Sequence, residues 1–113
     1  RKQPPGELIS KTAHAVDREY RVLKAVGDDS SVPVPVPKVY CLCKDKSIIG
    51  SMFYIMQFLD GRIFVDASLP EIKSKEEKAA MWKSAVDAVA KLHSIDPKMI
   101  GLADYGSQSD FYP

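Results

Sequence analysis

Long apolar segments, a strong net charge and a self-sufficient catalytic motif are all absent from this sequence of 113 residues. No run approaches the roughly 20 apolar residues that a membrane-spanning helix needs, and no apolar stretch follows the first residues, as it would in a signal peptide. The net charge of +1 gives no long-range attraction to nucleic acid or anionic lipid. We therefore expect an intracellular protein, cytoplasmic or organellar, with neither nucleic acid nor membrane among its partners.

Cysteine is scarce, since only Cys41 and Cys43 occur. In a β-strand these two residues point to the same face. We interpret them as two small buried thiols in a reducing compartment. A zinc site would need about two further ligands at matching spacing, and His14 and His93 lie far away in helical patterns. The sequence therefore predicts no metal site in this chain.

The sequence also lacks the short motifs that mark common catalytic sites by themselves. It contains no G-x-x-x-x-G-K-[ST] phosphate loop, no G-x-G-x-x-G motif, no G-x-S-x-G nucleophile elbow and no H-E-x-x-H zinc motif. A functional prediction must therefore rest on the order of several weaker features.

The first predicted helix runs from about Ala13 to Val26. Its apolar face is formed by residues at helical spacing, namely Val16, Tyr20, Leu23 and Val26. We interpret Gly27 as the C-terminal stop. Glu19 is expected at the edge of the apolar face, and Arg18 and Arg21 elsewhere on the helix surface.

The second predicted helix begins at a capping box. Ser74 occupies the cap position and Glu77 follows three residues later, before a long periodic segment. This helix is expected to run to about His93 and to end before Asp96-Pro97. Five residues at helical spacing would form its buried stripe: Trp82, Ala85, Val86, Val89 and Leu92.

Two runs rich in β-branched and aromatic residues, 38–43 and 52–59, predict strands, and an antiparallel hairpin across 44–51 is the simplest connection. The second run is apolar on both faces, so we expect a central strand or one covered on both sides. The Val-Pro alternation at 32–37 must be extended. We interpret it as a stiff lead into the first strand rather than as a motif for aromatic grooves.

Residues 1–6 end in Pro-Pro-Gly and would hold only the last residue or two of an earlier strand.

This order of elements predicts an α+β lobe joined to the start of a helical one. Asp60-Gly61 would form the turn between them. A chain of 113 residues suffices for one small domain or for part of a larger one. Phe111 and Tyr112 lie near the end and would normally pack on later residues, so we expect a piece of a longer protein.

Five weak segments occur in an order that resembles the aminoglycoside phosphotransferase family, a protein-kinase-like family that also includes choline kinase-like proteins. The segments are Arg1-Lys2-Gln3-Pro4-Pro5-Gly6, Asp17-Arg18-Glu19-Tyr20-Arg21-Val22-Leu23, Val36-Pro37-Lys38-Val39-Tyr40, Phe53-Tyr54-Ile55-Met56 through Asp60-Gly61-Arg62, and Leu92-His93-Ser94. Within the family, the sequence is most similar to the phosphotransferase domain associated with large acyl-CoA dehydrogenase family proteins.

The resemblance implies a protein-kinase-like fold. Residues 1–59 would form a partial N-lobe, an antiparallel sheet with one helix, and residues 60–113 the hinge and the first helix of a helical C-lobe. It also implies an enzyme that uses ATP and magnesium to phosphorylate a hydroxyl group of a small molecule. A hydroxylated acyl metabolite is the favoured substrate class, and fusion to an acyl-CoA dehydrogenase domain is expected in the longer protein.

Arg1 matches the family's basic residue that holds the ATP phosphates, and Glu19 matches the helix glutamate that pairs with it. A carboxylate would keep the cation from swinging between positions. Protein kinases have Lys at the basic position, and Arg suits it because a guanidinium forks readily onto phosphate. The alternative for Glu19 is a solvated or i,i+4-paired helix carboxylate.

Four consecutive residues match the adenine seat. Met56 corresponds to the gatekeeper at the back of the pocket, and the backbone of Gln57 and Leu59, with Phe58 between them, would form the edge that bonds adenine. The alternative is a plain core strand. His93 resembles a structural residue that packs or caps the end of its helix.

The catalytic loop of the family, His-Gly-Asp followed by Asn, and the later metal-binding Asp do not occur in these 113 residues. Phosphoryl transfer depends on positioning and on charge neutralisation by metal ions, so we expect no transfer activity from this chain alone. Two other hypotheses stay open. The chain could belong to a kinase-like binding or scaffold domain without catalysis, or to an unrelated α+β domain in which Glu19 does not face the strand carrying Met56.

Overall fold

A computed structural model describes residues 1–3, 15–29, 31 and 33–106. The elements are helix α1 (Val16–Asp28), strand β1 (Val39–Cys43), strand β2 (Phe53–Met56) and helix α2 (Lys75–Ser94). The predicted α+β order is confirmed. The predicted helix start at Ala13 and the Pro-Pro-Gly at 4–6 lie outside the described residues.

The two strands form the predicted antiparallel hairpin, in which Leu42 pairs with Tyr54 and Cys43 with Phe53. On its other side β2 is bridged by Lys2, which pairs with Phe53. Strand β2 therefore belongs to a two-stranded sheet with β1 and has the short segment 1–3 on its other side, which agrees in part with the predicted central position. Gln3 and Met52 extend this pairing through a backbone hydrogen bond of 2.9 Å.

Strand β2 is shorter than predicted, because it ends at Met56 instead of residue 59. Its last ladder partner is Val39. One further backbone bond follows, from Gln57 N–H to the Lys38 carbonyl at 2.7 Å. Pro37 comes next along the opposing chain and has no N–H to offer, so the ladder stops there.

The cysteine prediction is wrong in part. Cys41 is exposed and Cys43 is partly exposed, so the pair is not a buried one. Val39 pairs with Met56 and Cys41 pairs with Ile55, so Tyr40 has no partner on β2 and forms a β-bulge. Such a bulge bends its strand and increases its twist, and Tyr40 itself is exposed.

Helix α1 packs on both strands. Val16, Val26 and Tyr54 are buried, and the Tyr20 and Tyr54 rings lie 5.8 Å apart at an interplanar angle of 60°, a tilted arrangement that aromatic pairs favour. The helix continues beyond the predicted stop at Gly27.

The last turn of α1 is supported by an i,i+4 ion pair. Lys24 Nζ lies 2.8 Å from Asp28 Oδ2, and pairs at this spacing stabilise a helix end. The helix continues through Gly27 to Asp28, and this exposed pair adds only a small stabilisation there.

Helix α2 begins where the capping box predicts. Ser74 Oγ accepts a hydrogen bond from Glu77 N–H at 3.1 Å. The second bond of a capping box would join the Glu77 carboxylate to the Ser74 N–H. Here the Glu77 carboxylate instead pairs with Arg62 at 3.2 Å, and Glu76 Oε2 accepts a hydrogen bond from Ser74 Oγ at 2.9 Å. The helix ends at Ser94, within a residue of the prediction.

The predicted buried stripe of α2 is wrong for this chain. No residue of the helix is buried; Trp82 and Val89 are 52% and 50% exposed, and Val86 is 61% exposed. The helical period identifies an apolar face but not the element that covers it, and no part of the described chain covers this one. No helix among the described residues is long and apolar enough to cross a membrane.

The segment after α2 returns to α1. Arg18 Nη2 donates to the Tyr105 carbonyl at 2.7 Å, and its guanidinium carbon lies 4.1 Å from the centre of the Tyr105 ring. Arg21 donates to the Gly101 carbonyl at 2.8 Å and forms an ion pair with Asp104. These contacts attach the segment to the face of α1 that points away from the sheet.

Candidate functional site

An open groove of about 630 Å³ runs along β2 and past its end. Five of the six residues predicted for a nucleotide site line it: Arg1, Met56, Gln57, Phe58 and Leu59. The sixth, Glu19, reaches the groove through its contact with Arg1. The fold thus brings together residues that lie more than fifty positions apart in sequence. Their role in binding a nucleotide stays a prediction.

The ion pair expected between Arg1 and Glu19 is present. Arg1 Nε donates to Glu19 Oε2 at 2.9 Å, and the side chains are 53% and 41% exposed. Because only Nε is engaged, the two terminal guanidinium nitrogens have no partner among the described residues. A cation held in this way can still offer a fork to an anion.

The buried side chain of Tyr54 lies close to the same carboxylate, on the side of the sheet. Burial raises the pKa of its phenol, and the charge of Glu19 and a side-chain hydrogen bond to it raise that pKa further, while Arg1 lowers it. Since Tyr54 is a residue of β2, Glu19 faces the strand that carries Met56. The hypothesis of an unrelated α+β domain required the opposite and is therefore wrong.

Backbone groups remain available just beyond the end of β2. The N–H of Gln57 is used by Lys38, and the Gln57 side-chain oxygen accepts weakly from Lys38 N–H at 3.3 Å. The carbonyl of Gln57 and the N–H and carbonyl of Leu59 have no hydrogen-bond partner in the described part of the chain. Phe58 is 87% exposed, so this edge is open to a ligand.

The two ends of the groove suit different chemistry. Tyr54 N–H donates to the Arg1 carbonyl at 2.9 Å, so the cationic end lies beside Tyr54. Gln57 follows three residues later, about 10 Å away at roughly 3.3 Å per residue. One end therefore offers positive charge and the other a free peptide edge beside apolar side chains. This arrangement can hold a molecule with a polar aromatic ring and an anionic tail.

Five residues that line the groove were not among the predicted site residues, namely Phe53, Tyr54 and Ile55 of β2 and, outside that strand, Lys2 and Ile49. Lys2 lines the groove next to Arg1, and its signal was the Arg1-Lys2 doublet itself. Ile49, in the loop between the strands, also lines the groove, and no local pattern indicates it. His93 is exposed in the last turn of α2 and does not line the groove.

The sequence model of the phosphotransferase enzyme family matches residues 1–112. A protein named as an acyl-CoA dehydrogenase in Arabidopsis thaliana, IBR3, is 49% identical over 111 residues, which cover 98% of this chain and 13% of that protein. Acyl-CoA dehydrogenase family member 11 of Rattus norvegicus is 48% identical over 107 residues, covering 95% of this chain and 13% of the relative.

A solved structure supports the fold. The crystal structure of a protein described as an aminoglycoside phosphotransferase from Ralstonia eutropha superposes with a TM-score of 0.71 at 44% identity, covering 82% of this chain and 27% of that one. The chain thus spans about a quarter of the solved protein and about an eighth of the curated relatives. Its α+β architecture is that of a kinase-like N-terminal region, and the chain belongs to the phosphotransferase enzyme family.

Proposed function

We propose that this chain supplies the nucleotide seat of an ATP-dependent phosphotransferase that phosphorylates a hydroxyl group of a small molecule. The observation that carries the proposal is the shared groove, in which the cation Arg1, fixed by Glu19, lies about three strand residues from a free peptide edge. In this proposal Arg1 contacts the phosphates, Met56 closes the back of the adenine pocket, and the backbone at 57–59 bonds the adenine edge.

Magnesium does not fit the residues described in this chain. The ion requires several oxygen ligands beside the phosphates, and the carboxylate at this end of the groove, Glu19, is already engaged by Arg1. No group of three or more potential metal-ligating side chains occurs among the described residues. We therefore assign the metal ligands and the catalytic base to residues of the longer protein and derive no step from the metal here.

The acceptor is proposed from the relatives. Several of them are named acyl-CoA dehydrogenases. Because an acyl-CoA dehydrogenase acts on acyl compounds, we propose that a kinase joined to one phosphorylates a hydroxylated acyl metabolite. A fused acyl-CoA dehydrogenase domain is proposed for the longer protein on the same ground. The 113 residues alone are expected to bind nucleotide without transferring phosphate.

A binding or scaffold domain without catalysis is the second candidate. It is favoured by the lack of any group of three or more potential metal-ligating side chains among the described residues. The longer sequence decides between the two, because an intact His-Gly-Asp…Asn loop with a later Asp supports the enzyme and its loss supports the scaffold.

Nucleotide binding tests the proposal directly. We expect ATP to bind the purified protein in isothermal titration calorimetry, with adenosine binding more weakly because it lacks the phosphates. Leu59→Pro removes the proposed N–H donor and should weaken both ligands about tenfold, whereas the matched variant Leu59→Ala keeps the N–H and should bind normally. Equal binding by the two variants, or no binding of ATP to the wild type, would overturn the proposal.

A further inference from the structure

Arg18 and Arg21 lie on the side of α1 that is turned away from the groove. They are three residues apart and so share one face of the helix. At about 100° per residue, Glu19 lies roughly 100° from Arg18 and roughly 160° from Arg21 around the helix axis. Helix α1 is therefore held on two sides, by the sheet next to Glu19 and by residues 101–105 next to the arginines.

We propose that Arg18 and Arg21 are positioning residues that set the place of Glu19, and through it Arg1, at the phosphate end of the groove. The inference rests on the proposed nucleotide-binding function. In this proposal helix α1 is fixed to the segment 101–105 by these two arginines.

The pair of Arg1 and Glu19 cannot fix the helix alone. Both side chains are about half exposed, and an exposed pair is weakened by solvent screening and by the entropy of two long side chains. The opposite face has more contacts, although its ion pair is exposed as well, since the Arg21 and Asp104 side chains are 43% and 76% exposed. Arg21 uses both terminal nitrogens, on the Asp104 carboxylate and on the Gly101 carbonyl, and a fork of this kind restricts orientation as well as distance.

Arg18 adds a second type of contact. Its guanidinium donates to the Tyr105 carbonyl and lies over the Tyr105 ring, so both its charge and its flat face are used. The two arginines together grip one short segment over one turn of α1. Rotation of α1 about its axis, which would move Glu19 away from Arg1, must break these contacts.

In this proposal the two ends of the ligand contact different elements of the fold. Helix α1 carries Glu19 but no part of the peptide edge at 57–59, which belongs to the end of β2. Loosening α1 should therefore weaken the grip on phosphates and leave the adenine end unchanged. A general loss of folding would instead weaken binding of every ligand.

The test compares Arg21→Gln with Lys24→Gln in the full natural protein. Both substitutions remove one positive charge from α1 and break one exposed ion pair, but only Arg21 bonds the segment 101–105. We expect Arg21→Gln to weaken ATP binding about fivefold with adenosine binding unchanged, Lys24→Gln to match the wild type for both ligands, and Arg21→Lys to be intermediate. Equal ATP affinity of Arg21→Gln and Lys24→Gln would overturn the inference, and so would a parallel loss of adenosine binding.

Asp104→Asn provides the second variant, which removes the partner charge and leaves α1 unaltered. It should reproduce the selective loss of ATP affinity and should speed hydrogen exchange of the α1 amides. A wild-type protein that does not bind ATP would overturn the proposed function and this inference together. A wild type that binds ATP, with Asp104→Asn unchanged in both measurements, would overturn this inference alone.

Discussion

Arg1 Nε and Glu19 Oε2 lie 2.9 Å apart and join the segment beside β2 to the first turns of α1. If the proposed function is right, Glu19→Gln leaves the guanidinium without its anionic partner. We expect ATP affinity to fall about tenfold, in the range typical of a lost charge-assisted bond, as measured by isothermal titration calorimetry. Folding stability should change by less than about 1 kcal/mol, because the pair is half exposed.

Asp17→Asn is the matched control for Glu19→Gln. Asp17 lies two residues away in the same turn of α1 and does not line the groove, yet the substitution changes the charge equally. ATP affinity of this variant should equal that of the wild type. A similar loss in both variants would mean that the net charge of the helix, and not the pair with Arg1, governs binding.

Tyr54→Phe should cost up to roughly 1 kcal/mol of unfolding free energy at neutral pH, because it removes a hydroxyl from a buried residue that lies beside the Glu19 carboxylate. Urea denaturation measures this loss. Tyr40→Phe, at an exposed position, should leave the unfolding free energy unchanged, and an equal cost for both would contradict the assigned role of the Tyr54 hydroxyl.

The raised pKa of the Tyr54 phenol also predicts a pH dependence. The unfolded chain releases the Tyr54 phenol proton near pH 10, at a lower pH than the folded chain does. In this range the unfolded state binds fewer protons than the folded state, so the free energy of unfolding falls as the pH rises. The contribution of Tyr54 is thus complete below about pH 10 and is lost above it. Wild-type protein should lose more stability between pH 9 and 11 than Tyr54→Phe does, and parallel curves would contradict the shift.

Gly101→Ala should destabilise the segment that Arg21 grips. The φ angle of Gly101 is +77°, although a Cβ there would meet no atom within 4 Å. The cost is therefore conformational, about 1–2 kcal/mol. Gly61→Ala has the same open surroundings without a positive φ and should be neutral or slightly stabilising. Thermal unfolding of the two variants measures the difference, and equal melting temperatures would contradict the assigned backbone strain.

Val86→Asp tests what covers the apolar face of α2. In this chain the residue is 61% exposed, so the unfolding free energy should change by no more than about 0.5 kcal/mol. If a longer protein that contains this chain packs against this face, the same substitution there should cost more than about 2 kcal/mol. Ser84→Asp introduces the same charge on the opposite side of the helix and should be mild in both proteins. A mild Val86→Asp in the longer protein would show that the face stays uncovered.

Local signals predicted much of the fold. The capping box at Ser74 located the start of α2, and the apolar character of both faces of the 52–59 run predicted a neighbour on each side of β2. The end of β2 was predicted three residues too late, because its length depends on Pro37 of the opposing chain rather than on the apolar run itself. The burial of α2 could not be predicted, since the helical period contains no information about a partner.

The candidate site was predicted through family resemblance more than through residue chemistry. The pairing of Arg1 with Glu19 followed from matched positions, and the structure contains it. The contacts of Arg18 and Arg21 were missed, because their partners lie eighty or more residues later and a surface arginine carries no sign of so distant a neighbour.

The three residues that precede Pro4 have a consequence for the behaviour of the protein in solution. They cover the side of β2 that does not face β1, through backbone bonds to Met52 and Tyr54. Without them, β2 would become an edge strand with apolar Phe53 and Ile55 beside unpaired N–H and C=O groups, which is a template for strand addition by another molecule. A truncated protein that lacks residues 1–3 should therefore self-associate through β2. The segment that carries Arg1 thus also prevents aggregation through this strand.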